Sequence, residues 1–156
     1  MIQQMTTRRS ALRLALAGAA LPLAGIAPGR ARADSLPQVV AWKDPSCGCC
    51  RVWIDHMRDA GFSVSVGDTT NMAEVKQAWN VPDTLQSCHT AVVSGYVVEG
   101  HVPASDIKRL LAERPSARGL AVPGMPKSAP GMDQPGEPYT VVLFGTPTGD
   151  KVYAQH

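Results

Sequence analysis

Hydrophobic and polar positions along the chain predict strands and helices in alternation. A short apolar run from Leu36 to Trp42 is typical of a buried strand, and the apolar-polar alternation of Phe62–Val66 predicts a second strand. Between them, apolar residues recur at helical spacing from about Cys49 to Ala60, and Gly61 follows as a C-terminal cap. The first part of the domain is therefore predicted to be strand, helix, strand.

The middle of the chain continues with a helix, a hairpin and another helix. The predicted elements are a helix at Asn71–Trp79, strands at Thr90–Val93 and Tyr96–Val98 around a Ser94-Gly95 turn, and a helix at Ser105–Glu113. Asn71 and Glu74 stand at the spacing of a capping box, and Ser105 is a favourable N-terminal cap. The whole order predicts a single α/β domain of the type βαβ followed by ββα.

Residues 119–138 differ in composition from the segments before them, because proline and glycine are concentrated there. Such a composition excludes helix and sheet interior, so the segment is predicted to be a loop. It repeats the sequence Pro-Gly-Met, which places Met125 and Met132 in matching surroundings. After this loop, Thr140–Phe144 and Lys151–Ala154 predict a C-terminal β-hairpin.

The N-terminal residues 1–33 are predicted to be a signal peptide. Arg8 and Arg9 precede an apolar run from Leu14 to about Ala27, and Ala31-Arg32-Ala33 provides a small-x-small cleavage site. The paired arginines favour the twin-arginine export route, with the general secretory route as the alternative. A membrane anchor is disfavoured because the run is shorter than the roughly 20 residues that span a bilayer. We therefore expect a mature domain at 34–156 in the bacterial periplasm.

The charge of the chain changes sign when the signal peptide is removed. Residues 1–33 contain five of the 15 basic side chains and none of the 13 acidic ones. The remaining domain is mildly acidic and has no cluster of lysine or arginine, so it lacks the electrostatic footprint that nucleic acid or anionic lipid requires. We expect no nucleic-acid partner and no membrane contact after cleavage.

Three of the four cysteines fall in the stretch Cys47-Gly48-Cys49-Cys50, directly after the first predicted strand. They lie on the N-terminal turn of the first predicted helix, where free N–H groups and the helix dipole favour thiolate. Cys47 and Cys50 have the C-x-x-C spacing of a redox dithiol, which does not need Cys49. Three thiolates on one turn repel one another unless protons or a cation are bound, which favours metal. Structural disulfides are disfavoured, because cysteines this close cannot connect distant parts of a fold.

The topology adds two further candidates to these cysteines. In a βαβ-ββα arrangement the third strand runs antiparallel to the first, so Cys88 and His89 are expected beside the end of the first strand. Cysteine, histidine and methionine together select soft or borderline ions, above all Cu(I), with zinc as the alternative where methionine is not a ligand. Plainer roles are also open: a buried core thiol for Cys88, a loop hydrogen bond for His89, and packing for the two loop methionines.

The other histidines are predicted to lie outside this site. His101 follows a strand that is two positions across the sheet, about 10 Å away at the usual strand spacing, so we expect it to be structural. His56 is expected on the solvated surface of the first helix, and His156 at a mobile terminus.

Several motifs in combination resemble those of a known family. They are Cys47-Gly48-Cys49-Cys50, Ser87-Cys88-His89-Thr90, Gly100-His101-Val102-Pro103 and Val122-Pro123-Gly124-Met125-Pro126. Over residues 38–156 the chain resembles the CopG-like proteins of bacterial copper resistance, catalogued as domain of unknown function 411. The resemblance implies a periplasmic, thioredoxin-like protein, with copper ions and other copper-handling proteins as partners. It also implies copper ligands, which in this sequence are Cys47, Cys49, Cys50, Cys88, His89, Met125 and Met132.

Three functions are open from the sequence. The first is copper binding, as Cu(I) with Cu(II) as the alternative valence, through the cysteine cluster and its histidine and methionine neighbours. The second is thiol-disulfide exchange, with Cys47 as nucleophile and Cys50 as resolving thiol; the third is an interaction module with incidental thiols. Oxidation of Cys47 and Cys50 would remove ligands, so the first two functions can be combined. Cys49 separates them, since only the metal site needs it.

Overall fold

The computed structural model describes residues 35–156, so the predicted signal peptide lies outside the described part of the chain. Within that part, one mixed sheet of seven strands has the order β2-β1-β3-β4-β5-β6-β7. The strands are β1 (Val39–Lys43), β2 (Val64–Asp68), β3 (His89–Val93), β4 (Tyr96–Glu99), β5 (Gly119–Ala121), β6 (Thr140–Phe144) and β7 (Lys151–Gln155). The helices are α1 (Gly48–Asp59), α2 (Met72–Ala78) and α3 (Ala104–Glu113), with a short 3₁₀ turn at Asp83–Leu85. The predicted α/β class is confirmed.

The first four strands have the topology that the element order predicts. Strand β1 pairs in parallel with β2 and antiparallel with β3, and β3 pairs antiparallel with β4. The register sets His89 at the start of β3 opposite Lys43 at the end of β1. The beginning of β3 therefore lies next to the turn that carries the cysteines, as expected.

Strand β5 corrects the prediction that residues 119–138 contain no sheet. Gly119–Ala121 is buried and pairs with β4 and β6, so it joins the C-terminal hairpin to the rest of the sheet. This is possible because the first proline of the segment, Pro123, comes only after the strand. A side chain at Gly119 would place its Cβ 1.8 Å from the carbonyl oxygen of Val97, so glycine is required for this pairing.

Two apolar clusters fill the two faces of the sheet. On one face Trp53 and Met57 of α1 and Ile107 and Leu110 of α3 are fully buried against β1, β3 and β4. The smaller cluster, which includes Val97 and residues contributed by the segment after α2 and by β5 and β6, covers the other face. Burial of these side chains holds both helices in place and so fixes where α1 begins. No helix in the described part is long and apolar enough to span a membrane.

The helix N-termini agree only in part with the caps predicted from the sequence. The side chain of Asn71 accepts a hydrogen bond from the Glu74 amide, so the predicted N-cap of α2 is confirmed. The capping box is not closed, because the Asn71 amide donates to Thr69 Oγ1 and the Glu74 carboxylate accepts from the Asn71 side chain instead. The predicted cap at Ser105 is wrong, because α3 begins earlier, after Pro103. The first amide of α3 donates instead to His56 Nε2 at 3.1 Å, so His56 is half-buried rather than a solvated surface residue.

The chain terminus and strand β2 also depart from expectation. His156 is not a mobile end: its ring stacks on Tyr139, and its Nε2 lies 2.7 Å from Asp106 Oδ2. Strand β2 begins at Val64 rather than at Phe62. Phe62 is buried in the core, and its amide donates to the carbonyl of Met57 at the end of α1, which delays the strand.

Candidate metal centre

The cysteine turn is shaped by a local hydrogen-bond network after β1. A carboxylate oxygen of Asp44 accepts from the amide of Ser46 at 2.8 Å, and the carbonyl oxygen of Asp44 accepts from the amide of Cys47 at 3.0 Å. This turn sets Cys47 at the N-cap of α1, with Cys49 and Cys50 in the first helical turn. No side chain caps this helix end, so its free amides and the positive end of the dipole face the sulfur atoms.

The four cysteines divide into a bonded pair and a free pair. Cys47 and Cys50 form a disulfide with their Cα atoms 5.4 Å apart, while Cys49 and Cys88 are free thiols. Cys50 is fully buried, whereas Cys49 and Cys88 are partly exposed. Cys49 Sγ lies 3.6 Å from Cys47 Sγ. The described state is therefore an oxidised one, in which two of the four sulfurs are bonded to each other.

Cys88 joins this turn from the loop before β3, as predicted. All four cysteine sulfurs lie within 4.8 Å of one another. Burial, followed by the proximity of Cys49, raises the pKa of the Cys88 thiol to about 12. Cys88 is therefore protonated at neutral pH in the metal-free protein, and a metal that binds there must displace that proton.

His89 presents a neutral imidazole to the same sulfur. Its Nδ1 lies 3.4 Å from Cys88 Sγ, and its ring packs on Trp53 with the centroids 4.3 Å apart. Its Nε2 is buried and has no hydrogen-bond partner among the described residues. Burial, and then the neighbouring His101 and Lys76, lower the pKa of His89 well below its usual value. The ring is thus uncharged, the form in which histidine binds metals.

His101 is a member of the site that sequence reasoning missed. Its Nε2 lies 3.0 Å from Cys88 Sγ, so the expectation that His101 lies outside the site is wrong. The expected separation of about 10 Å was counted from β1, whereas Cys88 precedes β3, the strand next to β4. The expectation placed His101 in line with a strand, but Gly100 has a φ of +71° and turns the chain back toward β3. The amide of Gly100 donates to the His89 carbonyl at 3.0 Å. A glycine directly after the strand was the available signal for this turn.

The proline-rich loop fixes the orientation of the His101 ring. His101 Nδ1 donates to the carbonyl oxygen of Pro130 at 2.7 Å, which leaves Nε2 bare and directed toward Cys88. Burial lowers the pKa of His101, so this ring is also neutral. A backbone carbonyl that accepts from the other ring nitrogen is the usual support of a metal-binding histidine.

The two predicted methionines lie on the same loop but not in one place. Met132 follows Gly131, whose backbone packs so closely on α1 that a Cβ would lie 2.8 Å from the Trp53 amide nitrogen and 2.9 Å from the Cys49 carbonyl oxygen. Met125 is 56% exposed. It lines a surface cavity of about 480 Å³ together with Pro126, Lys127 and residues 135–138, rather than with cysteine or histidine.

The donor atoms fit a soft or borderline metal ion. Cys88 belongs to two groups of donors: one with Cys47, Cys49 and Cys50, the other with His89 and His101. In a tetrahedral site with metal–sulfur and metal–nitrogen bonds of about 2.3 and 2.0 Å, a sulfur and a nitrogen are about 3.5 Å apart. The observed separations from Cys88 Sγ, 3.4 and 3.0 Å, are close to this value. Small movements would therefore be enough to bring both imidazoles and Cys88 to one ion.

Comparisons with known proteins agree with this site. The profile of the family described as "Protein of unknown function, DUF411" matches residues 85–132, which include Cys88, both site histidines and both loop methionines. No curated protein matches the chain. Two solved structures are similar, "Copper resistance protein copG" forms 1 and 2, with TM-scores of 0.72 and 0.73. Each is 41% identical, over 78% of this chain and 98% of the other. The chain therefore belongs to the CopG-like, DUF411 family.

Proposed function

We propose that this protein binds copper as Cu(I) at the cluster formed by the cysteine turn, Cys88 and the two histidines, and so contributes to copper resistance in the bacterial periplasm. One observation carries the proposal: four sulfur donors lie within 4.8 Å of one another, and one of them is shared with two buried imidazoles. The solved relatives support copper as the metal, since both are described as copper resistance proteins.

The donor set favours Cu(I) over zinc for a chemical reason. Clustered thiolates and neutral imidazole bind both Cu(I) and zinc, so the remaining donors decide between the two metals. The Pro-Gly-Met repeats add two thioether sulfurs on a loop that packs against α1, and thioethers bind Cu(I) but are not zinc ligands. Met125 and Met132 are proposed to complete the coordination or to receive the ion before it reaches the cysteines. Copper is the cargo of this site rather than a resident cofactor.

The disulfide gives the site a redox requirement. Full coordination by sulfur needs Cys47 and Cys50 as thiolates, so the disulfide must first be reduced. A dithiol reductant would attack one sulfur, form a mixed disulfide and leave as its own disulfide, so that two electrons and two protons pass to Cys47 and Cys50. Reoxidation of the pair would remove two ligands and favour release of copper to another periplasmic copper-handling protein.

Thiol-disulfide exchange is the second candidate, and the Cys47–Cys50 disulfide at the start of α1 is the observation in its favour. The N-terminus of a helix lowers the pKa of a nearby thiol and stabilises its thiolate as a leaving group. This function uses Cys47 and Cys50 only. It gives no role to Cys49, to Cys88 or to the histidine orientation set by Pro130.

The test measures copper and redox chemistry on the same preparations. The domain, exported and purified without oxygen, is prepared reduced and with its disulfide intact, and each form is titrated with Cu(I) against a chelator and with zinc in competition. We expect the reduced form to take copper in preference to zinc and the oxidised form to bind it more weakly. Full loading with zinc and no copper would refute the proposal.

The variants Cys47→Ser and Cys49→Ser separate the two candidates. If the protein is a copper protein, both weaken copper binding. If it is an oxidoreductase, Cys47→Ser abolishes insulin reduction while Cys49→Ser has no effect.

A further inference from the structure

A second polar cluster lies behind the metal centre, on the opposite face of the sheet. Successive residues of a strand point to opposite faces, so Thr90 points away from the face on which His89 packs against α1. There Lys76 Nζ of α2 donates to Glu99 Oε1 of β4 at 2.5 Å and to Thr90 Oγ1 at 3.2 Å. Thr90 Oγ1 donates in turn to Glu99 Oε2 at 2.6 Å. All three side chains are buried.

Stability alone gives a weak reason for this buried ion pair. Removing a carboxylate and an ammonium from water costs several kcal/mol each, and apolar residues of similar volume are often as good or better. Glu99 is fully buried, and its carboxylate is compensated by the contacts with Lys76, Thr90 and the Ser87 amide. Because burial of this carboxylate is costly, we expect Glu99 to have a role beyond stability, namely to fix a neighbouring segment of the chain.

Glu99 holds the loop that presents Cys88. The amide of Ser87, the residue before Cys88, donates to Glu99 Oε1 at 2.7 Å. The Ser87 hydroxyl donates to the carbonyl oxygen of Gly124, which ties the same loop to the segment after β5. Cys88 itself precedes the first paired residue of β3, His89, so no strand pairing fixes its backbone. The bond from Ser87 to Glu99 on one side and the bonds between Gly124 and residues 86 and 87 on the other therefore hold the loop that carries the shared sulfur.

We propose that Lys76, Thr90 and Glu99 form a positioning network, which holds Cys88 at the metal centre through the Ser87 amide. Lys76 and Thr90 fix the orientation of the Glu99 carboxylate, and this carboxylate holds the loop that carries Ser87 and Cys88. None of the three side chains is hydrogen-bonded to a donor atom of the site. Besides the charge of Lys76, which acts on His89, their link to the site is the bond from Glu99 to the Ser87 amide. This inference rests on the proposed copper site and adds residues that set its affinity.

The test replaces the network without leaving a buried charge alone. Glu99→Ala would strand Lys76 in the interior and is expected to unfold much of the protein. The triple variant Lys76→Met/Thr90→Val/Glu99→Leu fills the same space with apolar groups and keeps the core packed. If the network positions Cys88, this variant stays folded but binds Cu(I) roughly 10- to 100-fold more weakly, the usual loss when support of a metal ligand is removed.

Two controls separate positioning from stability. Val97→Ala removes a fully buried side chain from the same strand, two residues from Glu99, and this side chain belongs to the apolar cluster and makes none of the network's hydrogen bonds. It is expected to lower the unfolding midpoint and leave Cu(I) affinity unchanged. The double variant Lys76→Met/Glu99→Gln leaves no buried charge unpaired and keeps a side-chain oxygen that can accept from the Ser87 amide, so it is expected to retain most of the affinity that the triple variant loses.

A readout without metal distinguishes failure of this inference from failure of the proposed function. Hydrogen exchange of the Ser87 amide is measured in the reduced, metal-free protein, where we expect fast exchange in the triple variant and slow exchange in the wild type and in Val97→Ala. Unchanged Ser87 exchange in the triple variant overturns the network, whether or not copper binds. Fast exchange with wild-type Cu(I) affinity overturns the link to the site. A wild type that binds no copper refutes the proposed function, and the exchange data still decide whether Glu99 holds the loop.

Discussion

The two cysteine pairs of this protein lie at the same site, but different parts of the fold bring the members of each pair together. Cys47 and Cys50 are three residues apart on one helical turn, and their disulfide closes within α1. Cys49 and Cys88 are both free and come from different elements, so only the complete sheet brings them together. A pair of nearby cysteines such as Cys47 and Cys50 is common in redox proteins. Cys49 and Cys88, the distant pair in the sequence, add donor atoms that thiol exchange does not need. This difference between the two pairs favours a metal centre over a simple redox site.

The largest expected effect comes from the distant pair. Among the described residues, Cys88 is the cysteine that belongs both to the group with Cys47, Cys49 and Cys50 and to the group with the two imidazoles. Cys88→Ser should therefore lower the Cu(I) affinity of the reduced protein by more than roughly 100-fold, beyond the usual effect of losing a supporting group. Cys47→Ser removes one sulfur of three on the helical turn and should cost less. Competition with a Cu(I) chelator under anaerobic conditions measures both. Equal losses would show that Cys88 has no special place in the site.

A smaller effect is expected where the proline-rich loop meets the cysteine turn. Gly131 has a φ of +89°, and a Cβ there would collide with the backbone of α1. Gly131→Ala should therefore both destabilise the fold and move the neighbouring Pro130 carbonyl away from His101, which weakens Cu(I) binding. Thermal unfolding and chelator competition test the two consequences together.

Gly124→Ala is the matched control for this substitution. Gly124 also has a positive φ, +68°, but a Cβ there meets nothing within 4 Å. It should cost only the strain of the left-handed backbone, about 1–2 kcal/mol. If Gly131→Ala costs no more than Gly124→Ala and keeps full affinity, the loop does not support the site.

A separate effect, on stability rather than on copper binding, is a pH dependence that belongs to the free pair. The pKa of Cys88 is raised to about 12 in the folded, metal-free protein from an ordinary value of 9.0. A thiol with a raised pKa stabilises the fold below its unfolded pKa, and this contribution is lost as the pH rises from 9 toward 12. Denaturant unfolding of the metal-free domain should show that loss. The Cys88→Ser variant should lack it, and an identical pH profile in that variant would contradict the assignment.

The sequence was sufficient for those parts of the site that follow from local pattern and strand order. The cysteines fall on the first turn of α1 because the apolar run of β1 ends just before them. Cys88 and His89 could be placed because an antiparallel third strand must begin where the first one ends. Both inferences need only element order and one pairing rule.

His101 could not be placed in the same way, because its position depends on a reversal at one glycine. The strand spacing was counted from β1, but Cys88 precedes the strand next to β4, and Gly100 turns His101 toward it. Strand β5 was not predicted, because the proline and glycine content of residues 119–138 indicated a loop, although the first three of these residues form a strand between β4 and β6. The Lys76–Glu99 pair joins α2 to β4 across 23 residues, and nothing in the local sequence of either element indicates it.

X-ray absorption at the copper K-edge, on reduced protein loaded with one equivalent of copper, tests the central claim most directly. We predict the edge of Cu(I) and a first coordination shell dominated by sulfur with some imidazole nitrogen, and a loss of sulfur scattering in the Cys88→Ser variant. A Cu(II) edge with a shell of nitrogen and oxygen only, the same in both proteins, would contradict it.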